Sequence, residues 1–171
     1  QVELGVDIID DGEYSKPGFA VYVNQRLGGY EPTGKHRESP WVNSREALAF
    51  PEFYAPSIKP PTGKPTAQSM EMICTGPVVY KGQALLQRDL DNLKAAVAAN
   101  KVEEAFVPAI SPCDVAGNQK NAYYKTDEEF LYAIADAMNV EYNAIVDAGF
   151  IVQIDDPRLI NYPVKNAQLS V

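Results

Sequence analysis

Four short apolar runs, each closing on a turn of small or acidic residues, limit how this chain can fold more than any other feature. Val6-Asp7-Ile8-Ile9-Asp10 follows Gly5, and Met70 to Cys74 precedes Thr75-Gly76-Pro77. Ala105-Phe106-Val107 leads into Pro108-Ala109-Ile110-Ser111-Pro112, and Phe150 to Ile154 runs into Asp155-Asp156-Pro157. Each run is mostly apolar rather than alternating, as parallel strands covered on both faces are. Helical segments separate the runs. Phe19 to Leu27 reads as a short helix stopped by Gly28-Gly29. From Gln83 to Ala99, Leu86, Leu90, Leu93 and Val97 form one stripe. Thr126-Asp127-Glu128-Glu129 has the form of a capping box. Leu131, Ile134, Met138, Tyr142 and Ile145 follow it as a buried stripe, and Gly149 ends the helix. Strand and helix in alternation predict an α/β fold with a parallel sheet.

Between Tyr30 and Thr66 the pattern lapses. Seven of the 13 prolines fall there (Pro32, Pro40, Pro51, Pro56, Pro60, Pro61 and Pro65), with the single Trp, Trp41, and the single His, His36. Trp41, Phe50, Phe53 and Tyr54 supply apolar anchors. The expectation is an ordered excursion with a short helix near Ser44 to Leu48. The opening Gln1-Val2-Glu3-Leu4-Gly5 reads as a helix tail closed by glycine, which suggests a fragment of a longer chain.

Composition narrows the function classes. A formal net charge of −8 argues against a nucleic-acid or anionic-membrane partner. No apolar run approaches the length of a membrane span. Two cysteines without a CxxC suit a reducing cytoplasm.

Polar residues gather where the strands end. Asp11 and Glu13 follow the first run, Thr75 and Gly76 the second, Ser111 the third, and Gln153 with Asp155 closes the fourth. In parallel α/β sheets ligands bind at that edge. The same residue types also suit ordinary caps and turns, so a shared polar site and simple capping both fit. His36 reads as a surface residue, and Cys74 and Cys113 as small buried hydrophobes, although both lie close enough to strand ends to share a pocket. Tyr123-Tyr124 reads as a packing lid. No GxGxxG, P-loop, HExxH or GxSxG is present.

Taken together, several segments resemble the cobalamin-independent methionine synthase family, specifically its smaller single-barrel relatives. They are Gly5 to Glu13, Arg26-Leu27-Gly28-Gly29-Tyr30, Thr75-Gly76-Pro77-Val78, Ser111-Pro112, Tyr123-Tyr124 and Gln153 to Leu159, in the family's order. The resemblance implies a (β/α)8 barrel, about half of it in this chain. It also implies zinc-dependent transfer of a methyl group from a methyltetrahydrofolate-type donor to a thiol such as homocysteine. Mapped by position, Glu13 and Asp155 look like the carboxylates that hold the substrate ammonium, and Thr75-Gly76-Pro77 like a turn at the barrel mouth. The family's zinc ligands, a His-x-Cys pair and later acidic and Cys positions, lie beyond the Gln-Ile-Asp segment and outside this sequence. The expectation is therefore that the chain by itself neither holds zinc tightly nor turns over, and that its open barrel edges favour self-association.

Three other readings stand beside this one. A coenzyme-M-type thiol transferase would need basic or backbone donors for a sulfonate, to which two acids are ill suited. A uroporphyrinogen-type decarboxylase would need more basic residues at strand ends than the 15 Lys+Arg supply. A non-catalytic half-barrel module is the third.

Overall fold

The computed structural model describes residues 1–19, 21–39, 41–59 and 62–159. Pro40, Pro60 and Pro61 of the excursion lie outside them. A 3-10 turn, Val2–Leu4, is closed by Gly5 in the left-handed region (φ 81°), as the sequence predicts. The elements then run β1 (Ile8–Asp10), α1 (Val23–Arg26), β2 (Leu27–His36), α2 (Arg45–Ala49), α3 (Pro51–Ile58) and β3 (Met70–Tyr80). After these come α4 (Gln83–Ala99), β4 (Glu104–Ile110), α5 (Pro112–Asn118), β5 (Lys120–Asn121), α6 (Asp127–Asp147) and β6 (Ile151–Asp155).

Three of the four apolar runs form one parallel sheet in the order β1-β4-β6. The second run does not join it. Met70–Tyr80 lies in a second sheet, antiparallel to β2 and parallel to the two-residue β5. The predicted Phe19–Leu27 helix is correspondingly shorter, and Leu27 and Gly28-Gly29 belong to β2. The glycine pair is a site of close strand approach rather than a helix stop. Gly29 has φ +93°, and a Cβ there would lie 2.5 Å from the Pro77 carbonyl oxygen and 2.8 Å from that of Gly76. Opposite Gly29 the register jumps, with Gly28 facing Val79 and Tyr30 facing Cys74, so Thr75 to Val78 bulge from β3.

The long helices follow their sequence signals. Thr126 accepts from the Glu129 N–H at 3.1 Å, and the Glu129 carboxylate accepts from the Lys125 N–H at 3.1 Å. The short helix expected near Ser44 is α2, capped by the Ser44 hydroxyl oxygen. The excursion's aromatics pack on one another instead of anchoring it to the core. The Trp41 and Phe53 rings each lie 5.0 Å from Tyr54, and Phe50 and Phe53 are exposed.

Two apolar clusters result. One joins Tyr22, Val23, Leu27, Cys74, Val78, Ile110 and Val115 to Phe130, Ile134, Ala137 and Met138 of α6. The other joins Ile9, Ala105, Val107 and Ala109 of the parallel sheet to Leu86, Leu90 and Leu93 of α4 and to Ile145 of α6. Helix α6 runs past both, and where they meet its buried stripe carries a carboxylate, Glu141, only 1% exposed.

Glu141 is compensated by three side chains. Arg26 Nη1 lies 3.1 Å from its Oε2, the Tyr80 hydroxyl donates to Oε2 at 2.7 Å, and the Tyr22 hydroxyl donates to Oε1 at 3.1 Å. Arg26 Nη2 lies 2.6 Å from Asp89 Oδ2 on α4, and its guanidinium stacks 4.9 Å from the Tyr22 ring centroid. Burial first, and the Glu141 charge second, hold both phenols well above the ordinary tyrosine range. Glu141→Leu leaves Arg26 short of its buried partner and is expected to cost about 3–5 kcal/mol in urea unfolding. Adding Arg26→Met is expected to cost less than the two single losses summed, because the partners share one network.

Candidate functional site

Five of the seven sequence-predicted site residues lie on β6 or directly after β1 and β4 of the parallel sheet. The first strand ends at Asp10, and the Asp11–Lys16 turn leaves from there. Asp11 organises that turn: Oδ1 accepts from the Glu13 N–H at 2.9 Å and Oδ2 from the Ser15 hydroxyl at 2.8 Å. Gly12 and Glu13 follow with φ 64° and 54°, two left-handed residues in succession. The Asp11 carboxylate is thus spent within the turn, on one backbone N–H and the Ser15 hydroxyl, with Lys16 Nζ 3.8 Å from Oδ2. Among the described residues, the half-exposed Glu13 carboxylate accepts no hydrogen bond. It is free to meet a ligand.

At the end of β4, Ser111 is buried and caps α5, its hydroxyl oxygen accepting from the Asp114 N–H at 3.0 Å. Its own N–H donates to the Asp155 carbonyl at 2.9 Å, which ties the ends of β4 and β6 together. On β6 the Gln153 amide donates to Asp155 Oδ1 at 2.9 Å, fixing that carboxylate and leaving Oδ2 without a partner among the described residues. Arg158 then holds the turn after β6 against α5, with Nε 2.9 Å from Asp114 Oδ1.

The register gives the spacing. Asp10 is level with Phe106, and Phe106 with Ile151. Asp155 therefore stands four residues, roughly 13 Å, farther toward the carboxyl edge. Strands β1 and β6 are two spacings apart, roughly 10 Å. Thr75 and Gly76 lie elsewhere, on the β3 bulge of the second sheet, where Thr75 is exposed and the Gly76 carbonyl accepts from the Cys74 thiol at 3.2 Å. Cys74, Val78 and Ile110 share one cluster, so the bulge flanks the end of β4.

The remaining candidates resolve into structural roles. The Tyr124 hydroxyl accepts from the Val78 N–H at 2.9 Å and so pins the bulge, while Tyr123 packs edge-on against it. His36 bridges Ser69 Oγ at 3.2 Å and the Gly63 carbonyl at 3.0 Å. The two cysteines share no pocket: Cys74 is fully buried, whereas Cys113, against expectation, is exposed on α5. Among the described residues no three His, Cys, Asp or Glu side chains gather as metal ligands would. Cys74 is spent on a carbonyl and His36 on a loop, so these residues do not fit a zinc centre. Among the described residues, too, no helix is long and apolar enough to cross a membrane.

Known proteins with this geometry point one way. The methionine synthase of Sulfolobus acidocaldarius is 24% identical over 158 residues, which cover 92% of this chain and 38% of that protein. That of Thermococcus kodakarensis is 22% identical over 162 residues, covering 93% and 39%. A B12-independent methionine synthase from Shewanella sp. W3-18-1, solved in complex with selenomethionine, superposes with a TM-score of 0.66 at 17% identity. It covers 99% of this chain, which in turn matches 42% of that structure. The chain is a partial-length relative of the methionine synthases. Its α/β architecture matches part of that solved methionine synthase, and it spans less than half the length of each of these three relatives. No protein-family model matches the chain.

The buried charge network is the part of this arrangement that the sequence leaves hidden. Arg26, Asp89 and Glu141 are widely spaced single charges, and only the Glu141 position, inside an apolar stripe, marks one of them as unusual. Thiol reactivity provides a check. Burial, then Asp156 and Asp114, push the Cys113 thiol up, and burial does the same for Cys74. Iodoacetamide at pH 8 is expected to modify Cys113 more slowly than free cysteine, at a rate that rises with pH, and to leave Cys74 intact until the protein unfolds, as read by peptide mass spectrometry.

Proposed function

We propose that this chain carries the amino-acid-binding edge of a methionine-synthase-like methyltransferase, within one partial barrel in which residues 30–66 form an excursion. The reaction is transfer of a methyl group from a methyltetrahydrofolate-type donor to the thiol of homocysteine. What supports this reading is that the Glu13 turn follows β1 and Asp155 closes β6 within one parallel sheet, in a chain whose relatives are methionine synthases.

Glu13 and Asp155 accept from the substrate ammonium. Gln153 orients Asp155, Asp11 holds the backbone that presents Glu13, and Ser111 fixes the strand end beside them. Thr75 and Gly76 border the approach. Two carboxylates on one ammonium form charge-assisted hydrogen bonds that fix the amino acid and hence the direction of its thiol. In the transfer itself a carbon–sulfur bond forms as the donor's carbon–nitrogen bond breaks, and the electron pair stays on nitrogen, which takes up a proton. The zinc expected from the resemblance has no ligand set among the described residues. A cytoplasmic location suits this chemistry.

Calorimetric titration of the protein tests the assignment. L-homocysteine is expected to bind more tightly than 4-mercaptobutanoate, which lacks the ammonium, and Glu13→Gln and Asp155→Asn are each expected to weaken homocysteine binding on the order of tenfold or more. Equal affinity for the two thiols, or tighter binding of 2-mercaptoethanesulfonate, contradicts it; the latter favours a coenzyme-M-type acceptor.

A further inference from the structure

The excursion between β2 and β3 differs in charge from the rest of the chain. From Lys35 to Lys64 there are five Lys and Arg against three acids, whereas the remainder carries ten against twenty. Arg45, Lys59 and Lys64 are exposed, and none of them is ion-paired among the described residues. Apolar side chains stand among these cations. Leu48, Phe50 and Phe53 are 73%, 66% and 76% exposed, and the Phe53 ring is joined through Tyr54 to Trp41. Arg45 and Leu48, three residues apart on α2, share a face. A contiguous apolar patch rimmed by charge marks a contact surface.

A surface of complementary chemistry lies on α6. Its 21 residues include no Lys or Arg, and of its six acids only Glu141 is buried. Tyr124, Glu128, Glu129, Tyr132 and Asp136 line a shallow groove along its first turns. Glu128, Tyr132 and Asp136 recur at steps of four, so a ring that is 64% exposed sits between two exposed carboxylates. Each surface offers what the other lacks: apolar side chains edged by cations on one, an aromatic ring edged by acids on the other. We propose that the excursion of one copy docks in the α6 groove of a second copy, Leu48, Phe50 and Phe53 packing against Tyr132 while Arg45 and Lys59 face Glu128 and Asp136. Reciprocal docking closes a two-fold dimer in which each chain lends its excursion to the other. The apolar centre supplies affinity, and the opposed charges steer the encounter and fix its register. Self-association then runs through the excursion rather than the open strand edges, whether or not the chain binds an amino acid.

Sedimentation velocity on the whole protein tests this. A dimer is expected at about 20 mM salt that dissociates toward monomer at about 0.5 M, where exposed charges are screened. Three variants are compared: Phe53→Ser, the pair Arg45→Glu with Lys59→Glu, and the pair Glu128→Lys with Asp136→Lys. Each is expected to weaken the dimer on the order of tenfold or more and to leave the melting temperature unchanged, since every altered side chain is exposed. An equimolar mixture of the two charge-reversed proteins is expected to regain the dimer, because each excursion then meets a groove of opposite sign. A parent protein that stays monomeric at low salt overturns the inference, as does a mixture that fails to dimerise. A dimer that survives all three changes overturns it in favour of strand-edge pairing. A monomer that co-floats with phosphatidylserine vesicles overturns it in favour of a membrane surface.

Discussion

The buried contact between Arg26 and Glu141 is the constraint on which the arrangement of this molecule depends. Each sheet has its own apolar cluster, and apolar burial is non-directional, so it sets no unique orientation between them. The charge network supplies direction. Arg26 stands where α1 becomes β2, Tyr80 ends β3, Asp89 lies on α4 and Glu141 on α6, so one set of hydrogen bonds fixes four elements. Through the Tyr22 hydroxyl it reaches the Ile110 peptide, whose carbonyl also accepts from Tyr142 at 2.6 Å. Ile110 is the last residue before Ser111 and the register partner of Asp155. The end of β4, beside Asp155, is thus held from behind by this network.

Much of this was legible in the residues. The apolar stripe of α4, the Thr126 cap of α6 and the three parallel strands all announce themselves locally, because helix periodicity and capping are short-range properties. What was not legible depended on partners distant in sequence. Met70 to Cys74 reads like its sister strands, yet it pairs with β2, and apolar content alone does not reveal pairing direction. Gly28-Gly29 carries both a helix-stop signal and a close-approach signal, and only the Gly76 and Pro77 carbonyls decide between them. Cys113 looked like a small buried hydrophobe, but on α5 it is Asp114 and Val115 that are buried, with Asp114 paired to Arg158.

The candidate site divides along the same line. That Asp11, Glu13 and Ser111 follow strands and Asp155 closes one is foretold by the run boundaries, whereas Gln153 falls inside β6. Their division of labour does not: Asp11 and Ser111 are consumed in holding backbone, whereas Glu13 and one oxygen of Asp155 retain their capacity. The separation is chemically useful. Groups that shape a turn need saturated hydrogen bonds, and groups that receive a ligand need open ones. Thr75 and Gly76, placed on the second sheet, border the site without joining its edge.

The central claim is that the carboxylates of residues 13 and 155 grip a single ammonium. A crystal structure of the protein soaked with L-selenomethionine tests it most directly, since selenium marks the ligand by anomalous scattering. The account expects the ligand nitrogen about 2.7–3.1 Å from an oxygen of each carboxylate. A ligand seated away from that edge, or an ammonium paired with neither acid, would contradict it.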